Sequence, residues 1–129
     1  MASSLLTFRG ETDGSSTSGT FKLYSDLLYE PVDYIRIPKG MKAKVWCKRI
    51  SGEEATTIHV EFANDVTAGT PTWSKVSTEY LASPGEVTLE KRRPVVLHGK
   101  TGKEAIRVTW SQATAGKAYV EIEVELTDE

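Results

Sequence analysis

Few residues in this chain have the type and spacing that chemistry requires. His59 and Glu61 alternate within TIHVEFA, so a strand there would set an imidazole and a carboxylate on one face, the disposition of a metal-ligand pair. The only other histidine, His98, stands in no ligand spacing. Glu121, Glu123 and Glu125 alternate as well. Two carboxylates separated by roughly 5 to 10 Å suit glycoside hydrolysis, yet regular alternation with Ile122 and Val124 reads more simply as the wet face of a strand. There is no G-x-S-x-G, no phosphate-cradling glycine loop and no H-E-x-x-H. No catalytic residue, metal ligand or cofactor is therefore assigned.

The aromatic and basic residues offer binding chemistry instead. In KAKVWCKRI, residues 42–50, Val45 and Cys47 share one strand face while Trp46 shares the other with Lys44 and Lys48. With the inward face already taken, Trp46 is expected to be an exposed anchor, with Lys44 and Lys48 as rim charges that meet the acidic Glu121, Glu123 and Glu125 face of another copy. A bulge that returns the indole to the core is the alternative. Exposed, coplanar Trp46 and Trp73 would make a sugar-stacking platform, whereas Trp110 shares the parity of Ile106 and Val108 and belongs to the core. Basic residues cluster at Lys39, Lys42, Lys44, Lys48 and Arg49, and again at Lys91, Arg92, Arg93, Lys100 and Lys103. The first cluster, around Trp46, has the makings of a single-strand binder, but a net charge of −2 gives no general attraction for nucleic acid, and lysines on a strand also serve to discourage aggregation.

The elements that hold these side chains are strands. A chain of 129 residues, 39% hydrophobic and 26% charged, has the composition of one globular domain. Its single cysteine, Cys47, forms no internal disulfide and reads as a small buried apolar residue, which points to a reducing compartment. MASSLLTFRG lacks the basic start and apolar run of a secretory signal, and no stretch approaches the ~18 apolar residues of a membrane span. Cytoplasmic synthesis and retention, or assembly there, is the expectation.

Alternation recurs along the chain. Val120, Ile122, Val124 and Leu126 fall on one face of AYVEIEVEL, and Ile106, Val108 and Trp110 on one face of AIRVTWSQ. The short glycine-containing segment Ala113–Lys117 predicts that these two pair as an antiparallel hairpin. Ile58, Val60 and Phe62 point inward in TIHVEFA. Weaker strands are expected at 4–11, 20–25, 32–37, 72–78, 86–90 and 94–98, and a single helical turn around Ser25 to Tyr29. Eight to ten short strands between Gly, Pro and Asp turns predict an all-β fold, an antiparallel β-sandwich of jelly-roll type. Residues 21–129 would form the sandwich, and residues 1–20 a strand followed by the polar, flexible TDGSSTSGT. Leu5, Leu6 and Phe8 need burial, so this N-terminal part is expected to contact other subunits as an arm or an exchanged strand.

The long alternating strands of TIHVEFANDVTAGTPTWSKVST and AIRVTWSQATAGKAYVEIEVEL, joined by Ala, Thr and Gly-rich loops, resemble the small β-sandwich proteins of virus and phage particles: decoration, minor capsid and tail-associated proteins. The resemblance implies a structural, non-enzymatic subunit that binds copies of itself and other assembly proteins, made in the host cytoplasm and carried in the virion; the net charge of −2 disfavours nucleic acid as a partner, and the lack of a long apolar stretch gives no expectation of a membrane. Two alternatives stand beside it. One is a carbohydrate-binding module with a glycan partner; the other is an extracellular filament subunit that donates a strand.

Overall fold

The alternating segments become strands in the computed structural model, which describes residues 3–26, 28–76, 80–82, 85–88 and 94–128. Eleven strands follow in order: β1 (Ser3–Glu11), β2 (Ser18–Thr20), β3 (Ile35–Arg36), β4 (Met41–Gly52), β5 (Thr56–Ala63), β6 (Ser74–Lys75), β7 (Tyr80–Ala82), β8 (Gly85–Thr88), β9 (Val95–His98), β10 (Ala105–Gln112) and β11 (Ala118–Asp128). No helix occurs among the described residues. Around Ser25 there is only a turn, in which the Leu28 amide donates to the Ser25 carbonyl at 3.0 Å; Leu27 lies outside the described residues.

Two antiparallel sheets face each other. The first runs β1-β11-β4, with β8 and β9 both on the far side of β4; the second centres on β10 and β5, with β2 and β3 beside β10 and β6 and β7 beside β5. Counting each split strand once leaves four positions in each sheet. The chain passes from one sheet to the other at every step except that from β5 to β6 and β7, which is jelly-roll order. The expected count of eight to ten strands differs from eleven because three positions are broken into short pieces.

The expected β10–β11 hairpin does not form. β10 lies in the second sheet and β11 in the first, and Ala113–Lys117 carries the chain across the sandwich. Both strands present one apolar face, and two such faces are satisfied equally well side by side or stacked across a core; alternation alone does not distinguish the two.

Val45, Ile58, Val60, Ile106, Val108, Trp110, Val120, Ile122 and Val124 are buried between the sheets, as their parity predicts, and Phe62 and Leu126 are partly buried against them. Phe8, Phe21, Leu23, Ile37 and Ile50 complete the centre, with the rings of Phe21 and Trp110 6.3 Å apart and tilted by 49°. Ile50 breaks the parity of Val45 and Cys47. The register of β4 against β11 shifts at this point: Cys47 stands opposite Ile122 and Arg49 opposite Glu121, leaving Lys48 as the extra residue of a bulge. The bulge turns Ile50, not Trp46, to the inside.

TDGSSTSGT is tied at several points. Thr12 is fully buried; its hydroxyl donates to the Gly116 carbonyl at 2.7 Å and accepts from the Ala118 amide at 2.9 Å. Asp13 accepts the amides of Ser15 and Ser16, and Gly14 between them takes φ +77°, a conformation that side chains other than glycine's avoid. The Gln112 amide donates to the Thr17 carbonyl at 2.7 Å, which leads the segment into β2.

Candidate interaction surface

The register of the first sheet turns its outer face into a grid. Leu5, Glu125, Lys44 and Val96 stand in one row across β1, β11, β4 and β9; Thr7, Glu123 and Trp46 stand in the next; Arg9 and Glu121 follow, then Glu11, Tyr119 and Ser51. Of the residues expected to bind partners, Leu5, Lys44, Trp46, Lys48, Glu121, Glu123 and Glu125 therefore share this one face. Leu6 and Phe8 do not: Phe8 is 4% exposed inside the core and Leu6 packs against it.

Three expectations for this face are corrected. Trp46 points outward as its parity requires, yet it is 9% exposed rather than open to solvent. Glu123, opposite it, is 6% exposed, so the acidic strand is not a uniformly wet face. The basic and acidic strands are also not separate patches awaiting another copy. Adjacent strands of one sheet, they pair within the chain: Lys48 Nζ lies 3.3 Å from Glu121 Oε1, and Lys44 Nζ 3.9 Å from Glu125 Oε1. Lys91, Arg92 and Arg93 of the second basic cluster lie outside the described residues.

Charged and apolar side chains are both open on this face, Arg9 with 66% and Lys48 with 48% of the side chain exposed. Leu5 is 54% exposed, Tyr119 49% and Val96 43%. A shallow groove of about 420 Å3 runs beside β1, lined by Leu5, Thr7, Arg9, Ser25, Asp26 and Glu121, and Arg9 Nη2 bonds Asp26 Oδ1 along it at 3.0 Å. β1 is the edge strand, paired with β11 of its own chain over its whole length.

A second cluster, which the sequence reading missed, stands on the outer face of the other sheet. Arg107 reaches Glu61 through both Nε, at 2.8 Å, and Nη2, at 2.7 Å, while the Thr109 hydroxyl donates to the other Glu61 oxygen at 3.0 Å. Trp73 covers the guanidinium, 4.5 Å from its ring centroid, and Tyr34 leans on Trp73 at 5.9 Å and 50°. Opposite charges at outward positions of two strands were the available signal. Only the register that sets Arg107 against Glu61 reveals the pair. Trp46 and Trp73 thus occupy opposite sides of the sandwich and share no platform.

The remaining polar groups are occupied structurally. Burial alone would raise the Glu104 carboxyl, but amides and the hydroxyl of the loop 100–102 outweigh it and hold the group at about 2. Lys100, Thr101 and Gly102 donate their amides at 2.9–3.2 Å. A carboxylate so engaged is a loop clasp, not a proton carrier. Burial pushes the Cys47 thiol up to about 12, which leaves no nucleophilic thiolate. Among the described residues, no group of three or more His, Cys, Asp and Glu converges on a metal site.

No protein-family model matches the chain, and no curated protein does. Among solved structures, a chain of infectious bursal disease virus, Gx strain, aligns with 99% of this chain and 33% of its own, with a TM-score of 0.51 and 9% identity. The CBM22-1 xylan-binding domain of Paenibacillus barcinonensis Xyn10C aligns with 98% of this chain and 86% of its own, with a TM-score of 0.50 and 8% identity. A chain of the cyanophage Pam1 capsid asymmetric unit covers 96% and 84%, at a TM-score of 0.38 and 13% identity. For the first two the likeness is one of fold. This chain spans about a third of the virus chain that it matches, and a shared sandwich transfers no binding residue from either neighbour.

Proposed function

We propose that the chain is a non-enzymatic structural or assembly subunit, of the decoration, minor capsid or tail-associated kind found in virus and phage particles, which acts through contacts with copies of itself and with other assembly proteins. The outer face of the first sheet carries this proposal. One row crosses the sheet with Leu5 and Val96 exposed at its ends and the Lys44–Glu125 pair between them, and exposed Tyr119 stands on the same face. A broad, shallow surface of apolar residues set among ion pairs has the character of a non-obligate protein interface. Synthesis in the host cytoplasm and residence in the particle follow from the proposal.

The test is the native mass across concentrations from about micromolar to millimolar, for the natural chain and for Val96→Asp and Tyr119→Asp. Association that these variants weaken supports the proposal; a chain that stays at 14.2 kDa throughout opposes it. A carbohydrate-binding role keeps one supporting observation, the corner of Trp73 and Tyr34, although its rings are tilted by 50° and Trp73 already stacks on Arg107. Titration with xylo-oligosaccharides, followed by tryptophan fluorescence, decides it: saturable quenching in the natural chain that Trp73→Ala abolishes would favour the glycan.

A further inference from the structure

We infer that copies of this chain join end to end, the turn that carries Glu53 and Glu54 in one copy seated in the lysine-rimmed pocket at the opposite end of the next; the inference rests on the assembly role proposed above. The charges that the molecule leaves unpaired are sorted by end rather than by face. β4 runs from Met41 at one end of the sandwich to Gly52 at the other. Around Met41, the turns 38–40 and 99–103 bring together Arg36, Lys39, Lys42, His98, Lys100 and Lys103. Lys39, Lys42, Lys100 and Lys103 have no ion-pair partner among the described residues, in contrast to Lys44, Lys48 and Arg107, which pair on the sheet faces. The carboxylates nearby are engaged: Glu104 by the loop 100–102, Asp65 by the Thr72 amide at 3.0 Å and Asp33 by Lys22 at 2.8 Å, while Asp128 stands at the rim opposite Met41. Both turns are held in place. The Gly40 amide donates to the Gly99 carbonyl and the Gly99 amide to the Met41 carbonyl, each at 2.8 Å, and Arg36 bonds the Gly102 carbonyl. Beside them opens a pocket of about 440 Å3, with Asn64, His98, Lys100 and Thr101 in its wall and the partly buried Phe62 and Leu97 beneath.

Around Gly52 the sign reverses. Glu11, Asp13, Glu53 and Glu54 stand there with Lys117, whose Nζ lies 3.8 Å from Glu11 Oε1, and Asp13 accepts the amides of Ser15 and Ser16. Glu53 and Glu54, on the turn between β4 and β5, have no ion-pair partner among the described residues. Their turn is fixed as well: the Glu53 amide donates to the Lys117 carbonyl at 2.8 Å, the Thr56 hydroxyl to the Glu54 carbonyl at 2.9 Å, and the Glu54 stem packs so closely on Gly116 that an added Cβ would fall 2.5 Å from its Cγ. The two ends lie roughly 35 Å apart along β4, several times the screening length of about 8 Å at physiological salt, so neither neutralises the other within one copy. A second copy supplies what each end lacks. Its projecting turn meets a concave pocket, its two carboxylates meet the lysines, and the carboxylate stems lie over Phe62 and Leu97. Any two-fold contact between matching ends would set like charge against like, so the contact must be head to tail.

Two variants of the full chain, measured singly and mixed, test this. One carries Lys39→Gln, Lys100→Gln and Lys103→Gln; the other carries Glu53→Gln and Glu54→Gln. For the natural chain the mass should pass beyond twice 14.2 kDa as concentration rises, and the dissociation constant should increase about tenfold between about 0.05 M and about 0.5 M salt. Each variant alone should associate about tenfold or more weakly, with circular dichroism and melting temperature held. Each also keeps one natural end. An equimolar mixture should therefore form a dimer of the two variants, at twice 14.2 kDa, and grow no further. That rescue is peculiar to a head-to-tail contact. Association that persists in both variants, or that only one of them weakens, overturns the end-to-end contact and leaves the assembly role standing; so does a mixture that fails to pair. A natural chain that is monomeric at every concentration overturns both.

Discussion

Trp46 and Glu123 stand opposite each other on β4 and β11, on the outer face of the first sheet, and both are nearly closed to solvent at 9% and 6% exposure. An outward direction and burial therefore coincide in one residue. Trp46→Ala should act on the fold itself, with a loss of about 3 to 5 kcal/mol, the usual range for removing a buried indole, and a melting temperature lower by on the order of 10 °C. Urea unfolding of the free chain measures this. A variant of unchanged stability and weakened association would return Trp46 to the role of an exposed anchor.

Lys48 and Glu121 pair within the chain at 3.3 Å, with side chains 48% and 31% exposed. A double-mutant cycle with Lys48→Met and Glu121→Gln should give a coupling of about 0.2 to 1 kcal/mol that shrinks as salt is added. Coupling that appears only when copies associate would mean that the lysine serves a neighbouring molecule instead.

Arg107 is the more costly cation to lose. Its partner Glu61 has a side chain only 10% exposed, and without the guanidinium it would keep Thr109 alone. Arg107→Met should cost about 3 kcal/mol or more, several times the effect of Lys48→Met, when both are unfolded in urea under the same conditions.

Glu104 gives the fold an acid-side dependence with a definite sign. Its carboxyl sits at about 2 in the folded chain against an ordinary 4.5, so the charged form is favoured by folding. The stabilisation is complete above about pH 4.5 and is lost as pH falls toward 2. Glu104→Gln should lower stability at neutral pH and flatten the stability profile between those values; equal slopes for the natural chain and the variant would remove Glu104 as the cause.

The strands themselves were legible because one buried face imposes a period of two, and every long strand shows it. How those strands combine was not. β10 and β11 are adjacent in sequence and apolar on one side, but neither property records whether two strands lie edge to edge or face to face. Trp46 shows a second limit: parity gave its direction correctly, while its burial depends on what lies over the sheet, which a local pattern does not encode. The bulge at Lys48 had left a trace. Val45, Cys47 and Ile50 change parity between 47 and 50, and an apolar series that skips a beat needs an extra residue somewhere in the gap. The Arg107–Glu61 pair left no comparable trace, since its two residues are 46 positions apart and meet only through register.

Cys47 makes the molecule its own unfolding clock. The thiol is 2% exposed and raised to about 12 by burial, and it is the only one in the chain. A thiol reagent added to the native protein must wait for an opening large enough to expose the centre of β4, so the rate of labelling counts global openings and ignores the fraying of loops. The same silence makes a cysteine introduced at any surface position the sole fast-reacting site, and the natural one can stay in place.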